Sequence, residues 1–462
     1  MNDEMMSFKP DDMVKSCKWL EKGLGFLIGG IHSCVKGSKT SPVLVSIEEI
    51  KAGKVTYDLI VQRRKELFLG INGLKEIDLG GCKNCTSICE KRFKDVNFEW
   101  AGGEPLPTAF NVQHYTMCNE RCLYCVYAQN KDFRAPQYDI LSIYELFREK
   151  GRLGKNNWID FSGGEPAMLK NFDQILNYML DNEMETVVVY SNATIFSESI
   201  ARGLRENKVI LTTSLDTGLK STYARLRGAD LFEKVIDTLT RYRNTGTKGL
   251  WLKYIVTEVN RTDDDMWSFI MAMIALRPNS VMICPDYPYG DKEIPDETVR
   301  FAARLWYLLE RYVGIWIQEY TASFGDPKFV EYRKKLGEYI AQLKAEDWKS
   351  MNKKIENIPE NAKVAIWGAG GMARKLMQET SLGKLNIVKV YDGDKKKAGS
   401  QFEDVPVGPF TPRDIEEKKI DTIIITSSSA QNDILCELEP YREKVNVVIL
   451  FDRQISLPYK KS

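Results

Sequence analysis

The chain has 462 residues, 43% of them hydrophobic, which predicts about three globular domains with sizeable cores. Its 65 Lys and Arg residues balance 64 Asp and Glu residues, so a net charge of +1 provides no chain-wide attraction for nucleic acid. No apolar run is long enough to span a bilayer, and the acidic start, Met1-Asn2-Asp3-Glu4, is unlike a secretory signal. We therefore expect a cytoplasmic protein without a membrane span.

Residues 1–106 are predicted to form an irregular, cysteine-rich N-terminal region with few periodic segments. Of the ten cysteines in the chain, eight fall within the first 125 residues. In a reducing cytoplasm this clustering favours metal or iron–sulfur ligation over disulfides. The two histidines, His32 and His114, exclude a multi-histidine metal site and disfavour histidine acid–base chemistry.

Residues 107–290 are predicted to form a partial (β/α)6 barrel of the TIM type, because β-branched apolar runs alternate there with helical patterns. In such barrels the chemistry collects at the carboxyl ends of the strands. The predicted strands lie at residues 108–116, 158–162, 186–190, 209–214, 250–256 and 281–284.

The remainder is predicted to contain a helical extension and linker, residues 291–358, and a second parallel-sheet domain, residues 359–462. The extension has helical spacing at 295–312 and 328–354, around an apolar stretch at 314–317. In the last domain, strands are predicted at 363–367, 387–391, 422–426 and 445–451, with a helix at 372–380. The fold class is therefore α/β.

Three cysteines follow the first barrel strand with the spacing CxxxCxxC: Cys118, Cys122 and Cys125. Three thiolates on one tight loop can hold three irons of a [4Fe–4S] cube and leave the fourth iron open to a small-molecule chelator. The alternative is a zinc site without its fourth ligand, but the nearest histidine, His114, is expected on the strand itself.

This triplet, with the aromatic Tyr124 before its last cysteine, resembles that of the radical S-adenosylmethionine (radical SAM) superfamily. After the second strand, Ser162-Gly163-Gly164-Glu165-Pro166 is similar to the family's GGEP motif. The resemblance implies that the backbone and the acidic side chain of this motif bind the amino group of SAM. Glycines suit that role because they allow close approach to the main chain.

The resemblance extends to polar residues of later strands: Asn192, Ser214 and Asp216 at strand ends, and Lys253 on the fifth strand. In similar enzymes such residues contact the ribose and carboxylate of SAM, and the alternative for each is a structural polar group. The family implies a reduced cluster that cleaves SAM to a 5′-deoxyadenosyl radical, which abstracts hydrogen from a substrate C–H bond. It also implies an electron donor such as flavodoxin or ferredoxin.

Four N-terminal cysteines, Cys17, Cys34, Cys82 and Cys85, have a C-x11-G-x4-C…CxxC arrangement that includes Gly29. It resembles the twitch half of the SPASM auxiliary-cluster module, which binds a second [4Fe–4S] cluster but follows the barrel in those enzymes. Cys89 is a surplus or substitute ligand. The alternatives are a structural zinc site and unligated cysteines.

The C-terminal domain carries a GxGxxA loop between a strand and a helix, at Gly368, Gly370 and Ala373. Asp392 ends the next strand, where an acidic side chain can bond a ribose hydroxyl. The segment resembles Rossmann-like domains of sugar-modifying proteins, which bind NAD(P), SAM or a nucleotide-sugar, and the alternative is a purely structural domain.

The predicted reaction is the oxidation of a small carbohydrate-like or nucleotide-linked substrate, because an auxiliary cluster can accept the second electron. One alternative is epimerisation, with Cys284 on the sixth strand as the hydrogen donor, although a buried structural thiol would fit the same position. Another is peptide modification, and a non-catalytic scaffold is disfavoured by the joint presence of the two motifs.

Overall fold

A computed structural model of the chain describes residues 8–34, 41–97, 109–155, 157–182, 184, 186–286, 293–319, 321, 327–427 and 430–451. Residues 1–4 and Thr108, where the first barrel strand is predicted to begin, lie outside these ranges. Internal contacts divide the chain into two compact units, residues 1–305 with 315–336, and residues 306–314 with 337–462. The second unit therefore begins earlier than the predicted limit at residue 359.

The N-terminal part of the first unit contains more regular structure than the sequence pattern predicts. Its helices are α1 (Lys18–Lys22), α2 (Ile47–Lys51) and α3 (Tyr57–Ile71). Its strands are β1 (Met13–Ser16), β2 (Gly23–Leu27), β3 (Gly30–His32), β4 (Val43–Ser46) and β5 (Cys89–Arg92). The buried Arg64 of α3 donates to the carbonyls of Gly23 and Leu20, which ties this helix to the start of β2.

The barrel follows the predicted alternation of strands and helices. Its strands are β6 (Ala109–Gln113), β7 (Trp158–Phe161), β8 (Thr186–Tyr190), β9 (Val209–Ser214), β10 (Leu250–Val256), β11 (Ser280–Pro285) and β12 (Trp316–Glu319). Its helices are α4 (Val126–Gln129), α5 (Ile140–Glu149), α6 (Phe172–Asp181), α7 (Glu198–Arg205), α8 (Lys220–Arg227), α9 (Phe232–Arg243), α10 (Asp263–Leu276) and α11 (Asp296–Tyr312).

In the described residues one sheet has the strand order β12-β11-β10-β9-β8-β7-β6-β2-β3-β4. The six predicted strands, β6 to β11, are neighbours in sequence order and run parallel. The six strands predicted within residues 107–290 are therefore confirmed. Two further parallel strands from outside that range, β2 and β12, extend the run at its ends. The glycine-rich β2 lacks β-branched residues, which conceals it in the sequence, and Phe26 stacks on Phe110 of β6.

Alternating residues of the barrel strands face the helices and the interior. Phe110 packs edge-on against Tyr144 and Phe147 of α5, and Phe161 packs against Phe172 of α6. The residues that alternate with Phe110 on β6 and with Phe161 on β7 therefore face the interior of the barrel, where a substrate can lie.

The second unit contains the ends of α11 and of α12 (Pro327–Glu356), and a parallel sheet. The strands are β13 (Val364–Trp367), β14 (Ile387–Tyr391), β15 (Gln401–Phe402), β16 (Val405–Gly408), β17 (Thr422–Ile425) and β18 (Asn446–Ile449). The helices are α13 (Gly371–Glu379), α14 (Arg413–Glu416) and α15 (Gln431–Leu438). The strand order is β15-β16-β14-β13-β17-β18, and among the described strands of this sheet only the β15–β16 pair is antiparallel.

Apolar clusters cover both faces of this sheet. On one face Val364 and Ile366 pack with Met351 and Ile355 of α12, and on the other Ala365 packs with residues that follow β16. Layers on both faces are typical of α/β folds, so the predicted fold class is confirmed. The second unit begins before residue 359 because the end of α12 belongs to its core.

The described helices include none that is both long and apolar enough to cross a membrane.

Candidate active site

The three-cysteine loop lies between β6 and α4, at the carboxyl end of its strand. Cys122 is buried, whereas Cys118 and Cys125 are half-buried. Cys125 directly precedes α4, and its N–H donates to the carbonyl of Cys122 at 3.0 Å. The loop therefore brings three thiols together beside the mouth of the barrel, as the spacing predicts.

The loop is attached to the carboxyl end of α8. The N–H groups of Arg121 and Leu123 donate to the carbonyls of Arg227 and Leu226, at 2.8 and 2.9 Å. The last carbonyls of a helix lack partners within the helix, so they are available for such bonds. Gly228 then ends α8 with a φ of 65°, a left-handed conformation that favours glycine.

The GGEP loop packs against the other side of the cysteine loop. A Cβ atom on Gly164 would lie 2.1 Å from the carbonyl oxygen of Met117, and one on Gly163 would lie 2.7 Å from that of Tyr115. Gly163 also has a φ of +113°. These glycines are thus required by the approach of another part of the chain, a reason that differs from the predicted approach of a bound amino acid.

Glu165 joins this loop to the end of β8. Its buried carboxylate accepts hydrogen bonds from the N–H of Asn192 at 2.6 Å, the hydroxyl of Ser191 at 2.8 Å and the N–H of Ala167 at 3.1 Å. Burial raises the pKa of Glu165 to about 7, although these three donors oppose the shift. The structure gives Glu165 a positioning role, and its contact with the SAM amino group stays a prediction.

Asn192 contacts the cysteine loop directly. Its Nδ2 donates to Asn119 Oδ1 at 2.8 Å and lies 3.7 Å from Cys118 Sγ, while its Oδ1 accepts from Thr194. The residue predicted from the third strand therefore lies beside a predicted iron ligand.

Tyr124 of the cysteine loop and Asp216 bond to each other, and the contact of Asp216 with SAM stays a prediction. The Tyr124 hydroxyl donates to Asp216 Oδ2 at 2.6 Å, and the N–H of Ile255 donates to Asp216 Oδ1 at 2.8 Å. Asp216 is fully buried and has a φ of 63°. In this structure it positions Tyr124, because its carboxylate is enclosed by these partners and by Arg227.

Arg227 is a buried cation next to a predicted iron ligand. Its Nη2 lies 2.8 Å from Asp216 Oδ2, and its Nη1 lies 3.3 Å from Cys122 Sγ and 3.8 Å from Glu120 Oε2. Glu120 is also buried and accepts a hydrogen bond from the Tyr223 hydroxyl at 2.6 Å. No motif in the sequence indicates Arg227, since it lies at the end of an ordinary helix.

The donor set of the cysteine loop fits an iron–sulfur cluster. Burial raises the pKa of Cys118 to about 11 and that of Cys122 to about 12, and nearby Cys125 contributes to both shifts. Among the described residues, no group of three His, Cys, Asp or Glu side chains forms a preformed single-ion site. Three thiols on one loop suit a cube, in which each thiolate binds a different iron.

The barrel interior is polar near this site. Ser162 donates to Asp160 Oδ1 at 3.0 Å and accepts from Gln113 Nε2 at 3.1 Å. The Tyr127 hydroxyl donates to the side-chain oxygen of Gln113, Oε1, at 3.2 Å. Asn111 Nδ2 also donates to Asp160 Oδ1. Asp160 is 6% exposed, and burial raises its pKa to about 6. An acidic residue in the apolar strand Trp158–Phe161 is the signal that could have identified it.

The remaining barrel candidates lie on neighbouring strands. Ser214 ends β9 and is paired with Lys253 of β10, and both are half-buried. Cys284 of β11 is paired with Ile255 and is buried, and burial raises its pKa to about 11. Lys253 and Asp216 also influence the pKa of Cys284, so the thiol lies near these predicted cofactor residues.

The four N-terminal cysteines are brought together from three segments of the chain. Burial raises the pKa of Cys82 to about 12, and the proximity of Cys34, Cys17 and Cys85 adds to the shift. Cys17 caps α1 through an N–H of Leu20 at 3.4 Å, whereas Cys82 and Cys85 lie on and after a 3-10 turn, Gly80–Asn84. Cys89 is exposed on β5, with its thiol 3.6 Å from the carbonyl of Ser16.

The glycine loop of the second unit borders a cavity of about 790 Å³ at the carboxyl ends of β13, β14 and β17. Gly368, Gly370, Asp392, Lys397 and Thr426 are among its lining residues. A Cβ atom on Gly370 would meet nothing within 4 Å. Ala373 is fully buried in α13, where a small side chain permits close packing of helix and strand.

Asp392 fixes this glycine loop. Its Oδ2 accepts from the N–H of Ala369 and from Lys397 Nζ, both at 2.8 Å, and its Oδ1 accepts from the N–H of Asp394 at 2.9 Å. Its predicted bond to a ribose hydroxyl stays a prediction.

Comparisons with known proteins support the assignment of the barrel. The Radical SAM superfamily model matches residues 112–272, and the model "C2185-like, N-terminal" matches residues 360–446. GTP 3',8-cyclase of Clostridium botulinum (strain Okra / Type B1) is 24% identical over 180 residues, 38% of this chain and 54% of that protein. Fe-coproporphyrin III synthase of Methanosarcina barkeri is 28% identical over 155 residues, 32% of this chain and 36% of that protein.

Among solved structures, Streptococcus suis SuiB bound to S-adenosylmethionine aligns with a TM-score of 0.38 and 15% identity, over 46% of this chain and 50% of that one. The chain spans about half the length of the C. botulinum relative it matches. The superfamily uses a [4Fe–4S] cluster and SAM, the cofactors predicted from the sequence. Residues 112–272, most of the predicted barrel, therefore resemble the radical SAM superfamily of enzymes.

Proposed function

We propose that Cys118, Cys122 and Cys125 hold a [4Fe–4S] cluster at which SAM is cleaved reductively. The observation that carries this proposal is the attachment of one three-thiol loop both to the GGEP loop and to α8. When bound, the cluster and SAM supply a 5′-deoxyadenosyl radical, which takes hydrogen from a substrate C–H bond. A flavodoxin or ferredoxin is the proposed electron donor.

Residues of the chain orient the cofactor and exclude water. Gly163 and Gly164 allow the GGEP loop to lie on the cysteine loop, and Glu165 links that loop to Asn192. Ser162 after β7, Ser214 at the end of β9 and Lys253 on β10 are proposed to bind SAM, because these residues are half-buried rather than enclosed. A fixed site of this kind places one substrate hydrogen near the radical carbon.

A polar substrate fits the barrel interior. The Asp160 Oδ1 atom accepts the bonds from Asn111 and Ser162, so Oδ2 is available for a hydroxyl or amine of the substrate. The C. botulinum relative is named for GTP, a nucleotide, which supports the same class. We therefore propose a small carbohydrate-like or nucleotide-linked substrate.

Oxidation is the proposed outcome, with Cys17, Cys34, Cys82 and Cys85 holding a second [4Fe–4S] cluster. The shared influence of these thiols on the pKa of Cys82 supports a common site. With four thiolates and no open iron, such a cluster suits electron transfer. It would accept the second electron as the substrate radical loses a proton. A zinc ion is the alternative occupant, although the described residues contain no preformed single-ion site.

The cavity of the second unit is proposed to bind a nucleotide. Its volume of about 790 Å³ lies within the ordinary range for ligand sites, and the N-terminus of α13 opens onto it beside Lys397. Thermal shifts of the full chain with NAD⁺, NADP⁺, UDP-glucose and SAM, each offered alone, test this site. A shift with at least one ligand supports nucleotide binding, and no shift with any indicates a structural domain.

Epimerisation is the second candidate because Cys284 is a buried thiol near Lys253 and Asp216. Its raised pKa keeps the thiol protonated, which is the form that can return a hydrogen atom. In D₂O, epimerisation introduces deuterium into the product at the reacting carbon, whereas oxidation does not. Peptide modification has no supporting feature among the described residues.

Iron and sulfide per chain after anaerobic reconstitution test the proposed function. We expect about eight irons in the wild type and about four after joint substitution of Cys118, Cys122 and Cys125 by alanine. A paired variant, Cys17→Ala with Cys82→Ala, is expected to lose only the second cluster and to retain SAM cleavage. If the wild type held about four irons and the triple variant none, the chain would have no second cluster. A redox-neutral reaction would then be favoured.

A further inference from the structure

Arg227 is held rigidly beside the cysteine loop. Its side chain is 6% exposed and is paired with two buried carboxylates, Asp216 at 2.8 Å and Glu120 at 3.8 Å. These carboxylates are fixed in turn by the hydroxyls of Tyr124 and Tyr223, each at 2.6 Å. The guanidinium therefore has one defined position, which differs from the freedom of a surface arginine.

That position directs Nη1 toward the sulfur of Cys122 at 3.3 Å. Hydrogen bonds to ligand sulfurs and the net charge around a cluster set the reduction potential of an iron–sulfur centre. An N–H donor and a buried positive charge both stabilise the reduced form, because reduction adds negative charge. Glu120 opposes this effect, since its carboxylate lies next to the same sulfur at 3.8 Å.

We propose that Arg227 and Glu120 together set the reduction potential of the cluster held by Cys118, Cys122 and Cys125. Arg227 raises the potential through its N–H···S bond and its charge, and Glu120 lowers it. This inference rests on the proposed function, because it requires the cluster at these cysteines. Both are positioning residues, since they act through Cys122.

The test is a redox titration of the reconstituted chain, monitored by electron paramagnetic resonance without SAM or substrate. For Arg227→Gln we expect the ratio of reduced to oxidised cluster at a fixed potential to fall about tenfold, which is 59 mV for a one-electron couple. Arg227→Lys keeps the charge and is expected to give a smaller fall. Glu120→Gln removes the opposing charge and is expected to raise the ratio.

Arg225→Gln is the matched control, because Arg225 lies on the same helix, is exposed and donates to the carbonyl of Val259. It is expected to keep the wild-type potential. Opposite shifts in the Arg227 and Glu120 variants support the proposal, because a loosened site would move both in one direction.

Unchanged potentials in variants with full iron content overturn the proposal. Loss of iron from both Arg227 variants, with full iron in the control, also overturns it and gives Arg227 a structural role. A wild type that holds no four-iron cluster overturns the proposed function itself, so the two failures are distinguishable.

Discussion

The chain contains two glycine loops that each follow a parallel strand but serve different purposes. In the barrel, a Cβ atom on Gly164 would lie 2.1 Å from a carbonyl oxygen of the cysteine loop. In the second unit, a Cβ atom on Gly370 would meet nothing within 4 Å and would lie at a cavity. Glycine is thus needed for internal packing in the first loop, and space for a ligand explains it in the second.

An acidic side chain fixes each loop, and the two differ in burial. Glu165 is 1% exposed, and burial raises its pKa to about 7. Burial also acts on Asp392, but hydrogen bonds from Lys397 and two N–H groups outweigh it and lower the pKa of this residue. The GGEP loop of the barrel is therefore held by a carboxyl group that resists ionisation. The glycine loop of the second unit is held by a carboxylate that stays ionised.

Gly164→Ala is expected to damage the cluster site more than any other variant considered below. The added methyl group would collide with the backbone at Met117, so the cysteine loop must move. We expect the chain to lose about four irons, those of the first cluster, together with all SAM cleavage, measured by iron content and 5′-deoxyadenosine formation. Gly337→Ala, where a Cβ atom has open space, is the control and should keep both. Full iron content in the Gly164 variant would show that the GGEP loop does not need glycine for internal packing.

Gly370→Val tests the open loop. The backbone there is extended, with φ −101° and ψ −173°, so valine is compatible with the fold. We expect an unchanged melting temperature and at least a tenfold loss of affinity for any nucleotide that shifts the wild type, measured by titration calorimetry. A variant that melts earlier would show that this glycine also serves packing. Unchanged affinity would place the ligand elsewhere.

Asp160→Asn is expected to stabilise the barrel unit at high pH. The folded-state pKa of about 6 lies above the ordinary value of 3.8, so the native state holds its proton longer than the unfolded chain. Wild-type stability therefore falls as pH rises from about 4 to 6, by at most about 3 kcal/mol, and asparagine removes this loss. Urea unfolding at pH 4 and pH 8 measures it, and equal pH dependence in both proteins would refute the interpretation.

Asp392→Asn is expected to destabilise the protein, in contrast to Asp160→Asn, and to change its stability by a smaller amount. The lowered pKa means that the bonds to Lys397 and Ala369 stabilise the second unit above the ordinary pKa of 3.8, and that this stability is lost as pH falls through the folded value. We expect asparagine to cost about 1 kcal/mol at pH 7 and less at pH 3. Thermal unfolding at the two pH values measures it.

The six central strands of the barrel could be predicted because β-branched runs are regular there, and five of them match within a residue: β7, β8, β9, β10 and β11. The cysteine spacing and the GGEP motif likewise indicate the site from residue types and spacing alone. The strand β2 could not be predicted, since Gly23–Leu27 is stabilised by pairing with β6 rather than by its own pattern.

Residue types and spacing alone predict the chemistry of this protein, because CxxxCxxC and GGEP are short segments that indicate a cluster loop and its neighbour. The surroundings of these segments become visible only in the folded chain. Arg227 reaches Cys122 from 105 positions along the chain, and Tyr124 reaches Asp216 from 92. Contacts between such distant residues depend on how strands and helices pack, and no local pattern records them.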